Sequence, residues 1–245
     1  PVLDHTGSNN DEVFTVENST HVQLIGLKFS ASGIYVTGSV TGFRLYDTSI
    51  YDRDCVAANN CACTNMALSG ASNIDIGWNE MRDCYDRGLP SNENNALIST
   101  FEGCTDIRIH HNRMSYTTGG TGTPLKSQKH LQSNCYDAHE LDHNILIRGW
   151  AGSNGPAPLK FGGPVWAHHN YIDIDSTAQW FKAANLGGAR RKWRANTLIE
   201  NNVIRGGFGF DLRPETDGID DTPGGNPKMG TLTIRNNTFV KSASG

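Results

Sequence analysis

The fold class this sequence predicts is all-β, a coil of parallel strands, and three observations predict it. The first is an eight-residue frame, apolar-x-apolar-x-x-Asn-x-apolar, whose clearest copy is Ile107-Arg108-Ile109-His110-His111-Asn112-Arg113-Met114. The second is its recurrence: the sixth position of the frame falls at 27, 48, 79, 112, 144, 170, 202 and 237, at intervals of 21, 31, 33, 32, 26, 32 and 35 residues. A period of that size with uneven insertions belongs to solenoids. The third is that apolar and polar residues alternate within each copy, which is strand spacing and not helix spacing.

In chain order, the first two copies, Val22/Leu24/Leu27/Phe29 and Phe43/Leu45/Thr48/Ile50, keep the apolar positions and lack the Asn. Ile74/Ile76/Asn79/Met81 and the Asn112 copy follow, then His139/Leu141/Asn144/Leu146 and Val165/Ala167/Asn170/Ile172. Thr197/Ile199/Asn202/Ile204 and Leu232/Ile234/Asn237/Phe239 complete the series. Asn at a fixed place after a strand suits a turn, because it tolerates the left-handed conformation and its amide bonds locally. Stacked in register, six such amides can bond one to the next inside the coil.

The pattern is that of a right-handed parallel β-helix of about eight coils with an internal Asn ladder. Here the sequence resembles the pectin-lyase-like superfamily over nearly its whole length, and the resemblance implies that fold. A repeat running from residue 13 to 240 leaves no room for a second unit, so residues 1–245 are expected to form one domain. No stretch reads as an amphipathic helix. The last frame ends close to Gly245, which implies either atypical caps or further coils beyond it.

A further strand is expected in each coil before the frame: Phe14-Thr15-Val16-Glu17, Ile34-Tyr35-Val36-Thr37, Met66-Ala67-Leu68-Ser69 and Ala96-Leu97-Ile98-Ser99. The series continues as Thr123-Pro124-Leu125-Lys126, Ala157-Pro158-Leu159-Lys160, Gln179-Trp180-Phe181-Lys182 and Phe208-Gly209-Phe210-Asp211. With Val16, Val36, Leu68, Ile98, Leu125, Leu159, Phe181 and Phe210 inward, the next residue of each faces out. That outward column reads Glu17, Thr37, Ser69, Ser99, Lys126, Lys160, Lys182, Asp211. Variable loops after these strands, such as 52–65, 83–95 and 116–122, are expected to wall a binding face.

The net charge is −4 with 19% charged residues, which gives no general case for nucleic acid or an anionic membrane as partner. No apolar run approaches a membrane span, and the opening Pro1-Val2-Leu3-Asp4 has no signal-peptide layout. Six cysteines, at 55, 61, 63, 84, 104 and 135, all lie in the first 135 residues. Cys104 and Cys135 fall at similar places in adjacent coils, as do Cys55 and Cys84. An even count in such a scaffold points to an oxidising, secreted setting.

Lys126, Lys160 and Lys182, at one outward position of three consecutive coils, would stack about 4.8 Å apart. Two like charges at about 5 Å and an effective dielectric near 20 repel by roughly 3 kcal/mol before screening, so the stack implies an anionic ligand. Repulsion also lowers the pKa of the middle lysine. β-Elimination from a uronate polymer needs this set: one cation to neutralise the carboxylate and a neutral amine to take the C5 proton. Lys126 or Lys160 is the expected base, with the other and Lys182 holding carboxylates. Arg213 would be a bidentate carboxylate clamp, and Trp180 a sugar-stacking platform. Tyr35 and Asp211 complete the expected substrate-binding set.

Leu125-Lys126-Ser127 is similar to the Lys-Ser element of the alginate lyase and chondroitinase B family. That resemblance implies Lys126 as base, with an Arg expected one coil later, where this chain has Leu159-Lys160-Phe161-Gly162-Gly163. Hydrolysis by Asp211 paired with Asp217, Asp220 or Asp221 is the alternative chemistry, and glycan binding without turnover is a third. No cofactor is expected, calcium at Asp217, Asp220 and Asp221 being the one admitted. His110, Asp142, His168 and Glu200 form another outward column, two residues before the Asn. Such N/O sets can bind a transition metal, but the expectation here is exposed strand residues on a different face. The expected partner is an acidic polysaccharide; oligomeric state is left open.

Overall fold

The computed structural model describes residues 2–4, 13–30, 32–55, 64–86, 96–101, 103–116, 129–133, 139–147, 159–161, 165–173, 179–183, 197–206, 208–212 and 231–240. These residues contain strands and no helix, and every strand pairing is parallel. The strands form three sheets of nine, eight and eight strands, and each passage around the coil contributes one strand to each sheet. The fold is a parallel β-solenoid, as the repeat implied.

The frame builds two of the three strands. Its alternating half forms the first sheet, including Ser72–Gly77, Thr105–His110, His139–Asp142, Val165–His168 and Thr197–Glu200. The residues after the Asn form the second sheet, including Glu80–Asp86, Arg113–Ser115, Ile145–Ile147 and Tyr171–Asp173. The third sheet runs through Val13–Glu17, Gly33–Thr37, Thr64–Leu68, Ala96–Thr100, Lys129–Ser133, Leu159–Phe161, Gln179–Ala183 and Phe208–Leu212. Inward apolar residues of all three sheets make one core, with Leu45, Ile76, Ile109 and Leu141 of the first stacked rung on rung.

The Asn ladder is present. Asn79 Nδ2 donates to Asn112 Oδ1 at 2.9 Å, and the links Asn112 to Asn144, Asn144 to Asn170, Asn170 to Asn202 and Asn202 to Asn237 repeat it at 2.9 to 3.0 Å. The backbone N–H of each donor Asn goes to the same Oδ1. Each Nδ2 also donates to a carbonyl of the preceding coil, as Asn144 does to Ile109 at 2.8 Å. In the second of the two copies without Asn, Thr48 continues the ladder: its N–H donates to Asn79 Oδ1, and its Oγ1 accepts from Leu27 N–H of the first.

One expectation about this turn is corrected. The left-handed residue is the one before the Asn: Gly26, Asp47, Trp78, His111, His143, His169, Asn201 and Asn236 all have φ between 49° and 67°. Left-handed geometry at that corner swings the following Asn side chain into the interior, where it is buried from Asn79 through Asn202.

The register of the third sheet corrects two further expectations. Tyr35 pairs with Ala67, Ala67 with Ser99, and Ser99 with Gln132, so Ser69 and Ser99 do not share a column. Leu131 and not Leu125 occupies the row of Ile98 and Leu159, because the strand in that coil is Lys129–Ser133. Strands Thr64–Leu68 and Ala96–Thr100 are buried on both faces, with Ala67 9% and Ser99 3% exposed, so the outer side of this sheet is covered there. Of the cysteines, Cys104 is buried. Cys84 pairs with Arg53 while Cys55 pairs with Asp86, which leaves Cys55 and Cys84 two register positions apart on neighbouring strands. Cys61, Cys63 and Cys135 lie outside the described residues.

Candidate functional site

Among the described residues, two places on this scaffold bring polar residues into register. On the third sheet, Gln132 pairs with Lys160, Lys160 with Lys182 and Lys182 with Asp211, so two of the three expected lysines occupy adjacent rungs. The third place in the expected stack is held by Gln132, and Lys126 lies outside the described residues, as do Arg213, Asp217, Asp220 and Asp221. Trp180 lies on the same strand as Lys182. Only the backbone is described for Lys160, Trp180, Lys182 and Asp211. Tyr35 is half-buried three coils before Gln132 in this column.

The second place is the outer face of the first sheet. Arg44, Asp75, Arg108, Glu140 and Trp166 lie in register on consecutive rungs and line a groove of ≈ 390 Å³. Two residues further along each strand, Tyr46, Gly77, His110, Asp142, His168 and Glu200 form the neighbouring column. The expectation that His110, Asp142, His168 and Glu200 are exposed is overturned, since all four are buried. The cover comes from flanking side chains: the groove residues on one side and the corner rings of Trp78, His111, His143 and His169 on the other.

Diagonal pairing between the columns makes that burial tolerable, because each buried polar group meets a partner. His110 Nε2 lies 2.7 Å from Asp75 Oδ1, and His168 Nε2 3.1 Å from Glu140 Oε1. Arg108 donates to both oxygens of Asp142 at 3.0 Å, a bidentate clamp. Burial pushes the Asp142 carboxyl up, but the hydrogen bonds from Arg108 and His143 outweigh it and hold the group below its ordinary value. The same Asp142 bond raises Arg108. Arg235 at 2.7 Å is the main cause holding Glu200 below its ordinary range, and Trp166 Nε1 donates to it as well at 3.1 Å.

The corner column carries a run of rings. Trp78 stacks on His111 with centroids 5.0 Å apart, His111 on His143 at 4.8 Å, and His143 on His169 at 5.1 Å, the two imidazole pairs inclined by 5° and 6°. The three imidazoles are exposed. Each turns Nδ1 inward: His111 to His110 Nδ1 at 3.0 Å, His143 to Asp142 Oδ2 at 2.9 Å, and His169 to His168 Nδ1 at 2.8 Å.

Sequence reasoning missed the groove and this ring column. The signal for the rings was present: the residue immediately before the frame Asn reads Trp78, His111, His143 and His169 in four successive copies. No protein-family model and no curated protein sequence matches this chain.

Proposed function

We propose that this β-solenoid is a polysaccharide-active protein that binds an acidic, uronate-containing chain along its third sheet and cleaves it by β-elimination. The observation that carries the reading is the register of Lys160 with Lys182, flanked by Gln132 and Asp211. Two cations on adjacent rungs about 4.8 Å apart repel each other, and a polymer of carboxylates relieves that repulsion along its length. A charged lysine neutralises the sugar carboxylate. A neutral one accepts the C5 proton, the C4–O bond breaks as the C4–C5 double bond forms, and the departing oxygen takes a proton. Ala67 and Ser99 are covered, so the reading puts the trough on the later coils. Lys126 as an alternative base and Arg213 as a carboxylate clamp join the reading from the sequence alone, as does the extracellular setting that a polysaccharide substrate implies.

The test is ultraviolet absorbance of the conjugated unsaturated product when the protein meets alginate, pectate and glycosaminoglycans. Turnover on one of them, with Lys160→Ala and Lys182→Ala each lowering kcat/KM by about 10²-fold or more, supports elimination at this pair. New reducing ends without that chromophore replace elimination with hydrolysis, and saturable binding without turnover makes the protein a glycan-binding module. No interaction with any acidic glycan sinks the reading.

A further inference from the structure

The corner rings stand on a different part of the coil from the lysine pair, and their bonding pattern has a chemical meaning of its own. The residue before each ladder Asn must adopt a left-handed conformation, for which Gly, Asn, Asp and His are suited. That accounts for a histidine at any one corner, as Gly26, Asp47, Asn201 and Asn236 serve elsewhere. It does not account for the partner behind each imidazole of the run, a carboxylate at His143 and a carboxylate-bonded histidine at His111 and His169.

The inner groups fix the tautomers. Asp142 accepts and cannot donate while ionised, so His143 donates through Nδ1–H and keeps its Nε2 lone pair. His110 and His168, when neutral, donate from Nε2 to Asp75 and Glu140, which leaves their Nδ1 atoms as acceptors. His111 and His169 then donate from Nδ1, and they too keep Nε2 lone pairs. The result is three exposed imidazoles in adjacent rungs whose unprotonated nitrogens belong to the ring edge away from the buried column. A metal-ligating histidine usually donates its other ring N–H to a carboxylate, a backbone carbonyl or water, as His143 does to Asp142; His111 reaches a carboxylate one step further on, through His110 and Asp75.

We propose that the His111–His143–His169 row binds one divalent transition-metal ion of the zinc, copper or nickel class, between His111 and His143. That gap is the narrower of the two, with centroids 4.8 Å apart against 5.1 Å. One side-chain donor atom of each of His111, His143 and Asp142 lies within 4.8 Å of the other two, which keeps the carboxylate beside both rings. Two nitrogens on one tetrahedral ion at about 2.0–2.1 Å stand about 3.3 Å apart, so the two nearly parallel rings tilt toward each other at their exposed edges on binding. Asp142, already clamped by Arg108, acts as the orienting carboxylate, and water or a ligand atom completes the ion's sphere.

The test is equilibrium dialysis of the full chain against Zn²⁺ and Cu²⁺, comparing wild type with His111→Asn, His143→Asn and the double variant. Asn suits the left-handed corner. Wild type should bind one more ion than the double variant, and each single variant should weaken that site about tenfold or more. Bound Cu²⁺ should also quench Trp78, identified by difference from Trp78→Phe, because Trp78 stacks on His111 at 5.0 Å. In wild type alone, Zn²⁺ should protect His111 and His143 from diethyl pyrocarbonate, read by mass spectrometry. Unchanged stoichiometry and affinity in the double variant would place any ion elsewhere, on cysteines for instance, and overturn the proposal. So would the absence of protection in wild type.

Discussion

Replacing Asn144 by Ala removes one rung of the internal ladder and leaves the backbone path unchanged. The lost Oδ1 is the acceptor for Asn112 N–H and for Asn112 Nδ2, both at 3.0 Å, and both donors are buried. The lost Nδ2 served Asn170 Oδ1 at 3.0 Å and the carbonyls of Ile109 and Asp142 at 2.8 and 3.0 Å. Two buried donors left unsatisfied cost about 1–3 kcal/mol each. A water entering the vacated space recovers part of this, so the expected loss is about 3 kcal/mol. Asn237→Ala is the internal control, because Asn237 is only partly buried and solvent can replace its bonds; about 1 kcal/mol is expected there. Urea unfolding followed by circular dichroism measures the global effect, provided the slope is unchanged. Since rungs of a solenoid unfold partly independently, hydrogen exchange at the Asn112 amide gives the local effect, an acceleration of about 10²-fold for 3 kcal/mol. Equal losses for Asn144→Ala and Asn237→Ala, or an unaltered Asn112 exchange rate, would refute the ladder's part in stability.

Three other outcomes follow from the packing. His130 is fully buried, donates from Nε2 to Ile147 O at 3.1 Å, and has its pKa lowered by burial to about 4. The unfolded chain therefore takes up this proton first as pH falls: stability is intact above about 6.5 and declines toward pH 4, by about 3 kcal/mol in all. His130→Gln should flatten that part of the stability–pH profile, and an unchanged profile would count against a neutral buried imidazole. Arg108→Ala leaves the buried Asp142 with His143 as a side-chain donor; the Asp142 carboxyl should titrate at higher pH by NMR, and stability should fall by about 1–2 kcal/mol, discounted because Arg108 is half-exposed. A Cβ at Gly77 would run into the His110 ring, so Gly77→Ala should cost about 1–3 kcal/mol and disturb the NMR signals of His110 and His111 ahead of those of His169.

Architecture was legible because it rests on local, periodic features. Apolar alternation gave the strands of the first sheet, and the fixed Asn gave the ladder, both independent of how far the intervening loops run. Register on the third sheet was harder, since its strands carry no polar marker. Leu125-Lys126 and Leu131-Gln132 are equally good apolar-polar pairs, and only the pairing with Ile98 and Leu159 chooses the second. The burial of His110 and Asp142 was not readable from one strand, because the residues that cover and neutralise them, Asp75, Arg108 and the corner rings, come from neighbouring coils more than 25 positions away or from the other side of the turn. Position along a strand reveals which face a residue takes; it does not reveal what neighbouring coils lay over that face.

The ladder bonds stay at 2.9 to 3.0 Å whether 26 residues separate consecutive rungs, as between Asn144 and Asn170, or 35, as between Asn202 and Asn237. The axis thus behaves as a ruler indifferent to whatever is spliced between its marks. Side excursions of nine residues more or fewer come and go without retuning the interior, so surface chemistry on this chain is free to diversify while its backbone pitch stays constant.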